Sequence, residues 1–252
     1  MFLLQAPPPT RFDLRFSVAG FPIRVHPLFW LIAILFGSSA GSPAKVLAWI
    51  IAIFVSITIH ELGHAFALRR YGVESEIILH AAGGLTVPES VSWGGRYANV
   101  AISSNQQIFI SLAGPFTGFL FAALLLVVSA ALGGVIIPNF IFGFVPFPYV
   151  LFPAGWEILT SFLMSLLWVN IFWGLINLLP VHPLDGGSVT RYILTQTDPL
   201  NGLRTSLWVS VITGAVVAIA SMTFLHSIYM AILFGMLAFQ SFQLLQSGAG
   251  RY

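Results

Sequence analysis

His60, Glu61 and His64 stand in the spacing H-E-x-x-H inside an apolar, helix-length run from Val55 to Leu68. On an α-helix, positions i and i+4 share a face, so the two imidazoles can grip one metal ion. Glu61 sits beside the first of them, where a general base for a metal-activated water belongs. A shuffled chain of this composition is expected to contain roughly 0.003 such matches. Ionisable groups inside an apolar span are costly to bury, which makes them functional by default.

The elements that must position these residues are membrane spans. The 252 residues are 58% hydrophobic and only 7% charged, with a mean hydropathy of +0.93. A soluble domain carries about 25% charged residues. The fold class expected is therefore an all-α polytopic membrane protein of about six transmembrane helices, with a short membrane-associated β segment. Spans are expected at about 26–37, 44–68, 108–132, 157–179, 205–221 and 226–245. Residues 1–25 read as a cytosolic N-terminal arm, 26–246 as one intramembrane domain, and 247–252 as a tail. The first span is short for a bilayer, which asks for about 20 residues. The run Glu76 to Val87 reads as two short strands around Gly83-Gly84. Residues 133–156 are apolar, yet Pro138, Pro146, Pro148 and Pro153 forbid one helix, so an irregular interfacial loop is expected. Ser188 to Arg204 reads as a polar connector.

Six spans with an internal N-terminus put Arg11, Arg15, Arg24, Arg69, Arg70, Arg96, Arg191, Arg204 and Arg251 on one side and Lys45 alone on the other. That asymmetry makes the first side cytosolic, both termini with it. The near-neutral balance, formally +2, carries no basic run suited to nucleic acid. With no cysteine, disulfides and thiolate ligands are excluded. The first residues lack a basic n-region and meet three prolines, so they do not read as a signal peptide.

A catalytic zinc site takes three protein ligands and leaves one position open. Besides His60 and His64, the donors on offer are His26, His80, His182, His226, Asp185, Glu74, Glu76, Glu89 and Glu157. His226 and Glu157 are expected on the far side of the membrane. Glu74, Glu76 and Glu89 lie in a polar connector, where a solvated role is the ordinary one. Asp185 follows an apolar helix end at the depth of His60 and His64, and Gly186-Gly187 lets backbone approach closely. His182, three residues earlier, is the second choice.

These residues resemble the site-2 protease family of intramembrane zinc metalloproteases, in the compact form without PDZ or CBS domains. His60-Glu61-Leu62-Gly63-His64 is similar to the family's zinc-binding helix. Asn177-Leu178-Leu179-Pro180 followed by Pro183-Leu184-Asp185-Gly186-Gly187 is similar to its second signature. His80-Ala81-Ala82-Gly83-Gly84 resembles its β segment. The resemblance covers about residues 26–190 in the family's order. It implies one Zn2+ per chain, held by His60, His64 and Asp185, with Glu61 as general base. It implies that Asn177 supports the substrate backbone, and that Gly83 and Gly84 belong to a strand able to pair with an unwound substrate. Substrates would be transmembrane segments of other proteins, cut in or near the bilayer of a cell membrane, with the site nearer the cytosolic face. The regulatory input that PDZ or CBS modules give some relatives would be missing or supplied by a partner, and the resemblance leaves a regulatory partner or homo-oligomer open. One departure is Gly118, where relatives often carry Asn. The rivals are a zinc-binding membrane scaffold, which has no use for Glu61, and a transporter, which would show internal repeats absent here.

Overall fold

The computed structural model describes residues 7–38, 41–88, 102–141 and 145–247. The arm's first six residues, Glu89, Arg96, Arg251 and the last residues of the tail lie outside them. The chain is mostly helical, and among the described residues five helices are long and apolar enough to cross a membrane: α2 (Pro43–Arg70), α3 (Ser104–Ala131), the run Glu157–Asn177, α7 (Gly202–Thr223) and α8 (Ile228–Gln246). The run Glu157–Asn177 comprises α4 (Glu157–Trp168), a π-helical turn (Val169–Trp173) and α5 (Gly174–Asn177). The first expected span, α1 (Pro27–Gly37), has 11 residues. At 1.5 Å per residue it reaches about 16 Å, half the hydrocarbon thickness. The last apolar run divides where expected, between Thr223 and Ile228.

Two units are distinguished by their internal packing. One holds residues 2–100 and 113–175. Its sheet runs β1 (Leu14–Val18), β2 (Phe21–Val25), β3 (Ser75–His80), β4 (Gly83–Pro88) in that order. β1–β2 and β3–β4 are antiparallel hairpins, and β2 lies parallel to β3. One sheet face carries Phe21, Ile23, Val25, Ile77 and Leu79, packed with Phe29 and Ala65 of the helices. Strand alternation sends Arg24, Glu76 and His80 the other way. Arg24 pairs there with Asp13 at 3.1 Å, and the Asp13 side chain is fully buried. Arg69, in the last turn of α2, staples the β1–β2 turn: it donates to Ala19 and Gly20 carbonyls, pairs with Glu74, and lies 3.5 Å from the Phe21 ring centroid. A second cluster in this unit joins Ala52, Ala122, Leu125, Leu163, Leu166 and Leu167 from three helices.

The expected irregular loop contains two nested antiparallel strand pairs instead. β5 (Val135–Ile137) pairs β8 (Tyr149–Leu151), and β6 (Phe140–Ile141) pairs β7 (Val145–Pro146). The prolines that break helices sit at the strand ends and edges, where a missing N–H costs little. Phe147 and Val150 from this region are buried in the helix cluster.

The other unit holds residues 101–112 and 176–252. The expected polar connector is largely a helix, α6 (Asp185–Thr197). α7 presents Ser206, Ser210 and Gly214 at four-residue spacing as a buried small-residue face. A Cβ at Gly214 would lie 3.0 Å from the Ala238 methyl of α8. Such close backbone approach is how apolar helices associate where lipid supplies no hydrophobic drive. Large side chains point outward along the spans, among them Leu120 and Ile219.

Candidate metal centre

α2 places His60 about 22 Å along its axis from Lys45 and His64 about 8 Å before Arg69. His60 is half-buried; Glu61 and His64 are buried. The imidazole Nε2 atoms of His60 and His64 face each other at 3.2 Å. Two ligands at about 2.0–2.1 Å from one tetrahedral metal stand about 3.3–3.4 Å apart, so the pair fits a shared ion.

α3 makes the room. A Cβ at Gly114 would overlap His64 Nε2 and lie 2.8 Å from His60 Nε2. The cradle beside the two nitrogens exists because this residue has no side chain. One turn along, a Cβ at Gly63 would lie 2.6 Å from both the Ala113 carbonyl oxygen and Thr117 Oγ1. The Gly in the middle of the H-E-x-x-H helix thus lets α3 come close. No spacing in the sequence places Gly114 against the imidazoles.

Asp185 begins α6 at a helix N-terminus, a favourable place for a carboxylate. A Cβ at Gly186 would overlap the Leu178 carbonyl, and one at Gly187 would lie 2.5 Å from the Val181 carbonyl oxygen. The glycine pair therefore does what its sequence suggested: it lets residues 178–182 lie across the first turn of α6. His60, His64 and Asp185 form a donor group that could hold one metal ion. Two imidazoles and a carboxylate, without thiolate, suit zinc.

The remaining candidates are engaged elsewhere. His26 caps α1, its Nδ1 accepting the Leu28 N–H at 3.2 Å, and its own N–H donates to the Leu79 carbonyl. His80 ends β3; burial, with His26 and Arg24 nearby, pushes its imidazole below the usual range. His182 donates its backbone N–H to Ser210 Oγ, and burial, helped by Arg191, also pushes its imidazole down. Glu74 pairs with Arg69, and Glu76 lies 3.7 Å from Arg24. Glu157 accepts the Gly155 N–H at the start of α4, and His226 lies in the α7–α8 turn. Asn177 is half-buried at the end of α5.

Gly83 and Gly84 open β4 with different surroundings. Gly83 has φ +123° and nothing within 4 Å of a would-be Cβ. A Cβ at Gly84 would overlap Oε1 and Cγ of Glu61. Two residues on, Thr86 Oγ1 donates to Glu61 Oε2 at 2.7 Å. No sequence signal singles out Thr86, because its partner is 25 residues away. At Gly118, where relatives often carry Asn, a Cβ would meet Asn170 Oδ1 at 3.3 Å. That asparagine comes from the π-helical turn and donates to Ser56 Oγ and the Leu166 carbonyl, both at 2.8 Å. An amide thus occupies this space from a different helix.

Helices fit to cross a bilayer, an H-E-x-x-H helix and a candidate donor set of two imidazoles and a carboxylate are features of the membrane zinc metallopeptidase class. The family model for Peptidase family M50 matches residues 48–220, and the chain belongs to that family. It is 29% identical over 184 residues to the zinc metalloprotease MJ0392 of Methanocaldococcus jannaschii, covering 72% of this chain and 45% of that relative. The chain thus spans less than half that relative's length. The solved site-2 protease from the same organism is similar in fold, with a TM-score of 0.54, 25% identity, and coverage of 93% of this chain and 95% of that one.

Proposed function

We propose that this protein is an intramembrane zinc metalloendopeptidase that hydrolyses peptide bonds within or near transmembrane segments of other membrane proteins. The observation that carries the reading is the pair of Nε2 atoms 3.2 Å apart beside a buried carboxylate on one apolar helix. His60, His64 and Asp185 would hold the ion. Bound zinc supplies Lewis-acid polarisation and makes water a usable nucleophile near neutral pH. Glu61 accepts the proton of the attacking water and returns it to the leaving amine. Asn177 supports the substrate backbone. Among the described residues β4 pairs with β3 alone, and its other edge suits an unwound substrate strand. Unwinding is required because a helical peptide bond is shielded from attack. The chain is a multi-pass protein of a cell membrane, with the site nearer the cytosolic side, where Arg69, Arg70, Arg191 and Arg204 lie.

The test is cleavage of a model single-span substrate by detergent-purified protein, wild type against Glu61→Gln. Loss of a general base lowers rate by about 10²–10⁴-fold. Retained zinc with lost cleavage supports the reading. Equal cleavage by both, or none by either across unrelated substrates, overturns it.

A further inference from the structure

Glu61 is a long side chain whose rotamer freedom must be removed before it can act from one place. α2 alone does not fix it. The contacts that do come from one face of β4, residues 84 and 86, as strand alternation requires. Gly84 lies flat against Oε1 and Cγ of Glu61. Thr86 Oγ1 reaches Oε2 at 2.7 Å, the length of a charge-assisted bond. The same hydroxyl oxygen is 3.1 Å from the Glu61 carbonyl oxygen, so it addresses both ends of this one residue.

Thr86 is itself well held. It stands opposite Ile77, which is fully buried, and β3 is pinned by β2 on its other side. Its branched Cβ restricts rotation about χ1. A stiff residue on a pinned strand thus grips a flexible one on the helix.

We propose that Thr86 is the positioning residue of Glu61, and that β4 thereby ties the edge offered to substrate to the aim of the general base. This rests on the reading of Glu61 as that base. The hydroxyl touches no reacting atom in this scheme; it acts through the carboxylate. Substrate that pairs with β4 presses on the strand that holds Glu61, so a poorly docked strand leaves the carboxylate poorly aimed.

The experiment compares wild type, Thr86→Val and Thr86→Ser in the full-length, zinc-loaded protein, reading kcat and KM for a model single-span substrate together with zinc content. Valine keeps the shape and removes the hydroxyl; serine restores the hydroxyl. The expected result is a kcat for Thr86→Val lower by about 10–100-fold, with KM within about threefold and one zinc retained, and most of the rate recovered by Thr86→Ser. A second reading needs no turnover: a double-mutant cycle of melting temperature on metal-free protein with Glu61→Ala and Thr86→Val. Thr86→Val should lower the melting point by about 2–4 °C in wild type and leave it nearly unchanged in the Glu61→Ala background. Wild-type kcat in Thr86→Val, equal losses in the valine and serine variants, or additive melting shifts would each overturn the proposal. If wild type itself cuts nothing, the protease reading fails, while the melting cycle still decides whether Thr86 holds Glu61.

Discussion

The Gly84→Ala substitution separates the role of β4 as a backbone from its role as a wall against Glu61. A methyl at this position would lie 2.6 Å from the Glu61 carboxyl carbon and overlap Oε1 and Cγ. Ordinary contact begins at 3.4 Å, so the carboxyl group must retreat by about 1 Å or the strand must move by as much. A displacement of about 1 Å at a catalytic group costs on the order of 10²-fold in rate, or about 2.7 kcal/mol of transition-state stabilisation. The three atoms nearest this methyl all belong to Glu61 and none to an imidazole, so zinc content should hold at the wild-type value. The assay is kcat on a model single-span substrate, with zinc measured on the same samples and a melting curve for each. Gly83→Ala is the contrast. Its methyl meets nothing, but the backbone at φ +123° is a conformation that side chains rarely adopt. Its penalty of about 1–3 kcal/mol should appear in the melting curve more than in the rate. Gly84→Ala cutting at half the wild-type kcat or better, with zinc in place, would refute the claim that β4 walls in the base.

Two further predictions concern the scaffold. Burial opposes ionisation of Asp13, but hydrogen bonds from Thr10 and the Arg24 partner outweigh it and bring the carboxyl from 3.8 down to about 2. A folded-state value below the unfolded one stabilises above about pH 4 and is lost as pH falls through about 2. Melting of wild type should therefore drop over that window more steeply than melting of Asp13→Asn; parallel curves would contradict it. Asn170→Ala removes a buried amide that joins Ser56 to the π-helical turn, and should cost about 1–3 kcal/mol, read as a lower melting point. An unchanged melting point would contradict that.

The membrane class was legible because so little charge leaves few other solutions, and the ligand helix because its spacing is rare. The β segment at 76–87 was visible from alternation and glycine, although the turn falls at Ala81-Ala82 and Gly83-Gly84 begin the second strand. Helix α6 was hidden behind two glycines and a polar composition; its first turn is held by backbone contacts with residues 178–182 that no local pattern displays. α1 was read as a span because it is apolar, yet an 11-residue helix is too short to cross alone. The prolines at 138–153 correctly excluded a helix but gave no sign of cross-strand pairing. Gly114 and Thr86 were missed for one reason: each matters only through a residue distant in sequence, His64 and Glu61 respectively.

Zinc K-edge X-ray absorption on the purified, zinc-loaded protein tests the metal centre most directly. One zinc per chain should show a shell of nitrogen and oxygen neighbours at about 2.0–2.1 Å, two of them imidazoles, with no sulfur. Asp185→Ala should lose one oxygen neighbour or the metal itself. A third imidazole in the wild-type shell, or an unaltered shell in Asp185→Ala, would contradict the assignment of Asp185 beside His60 and His64.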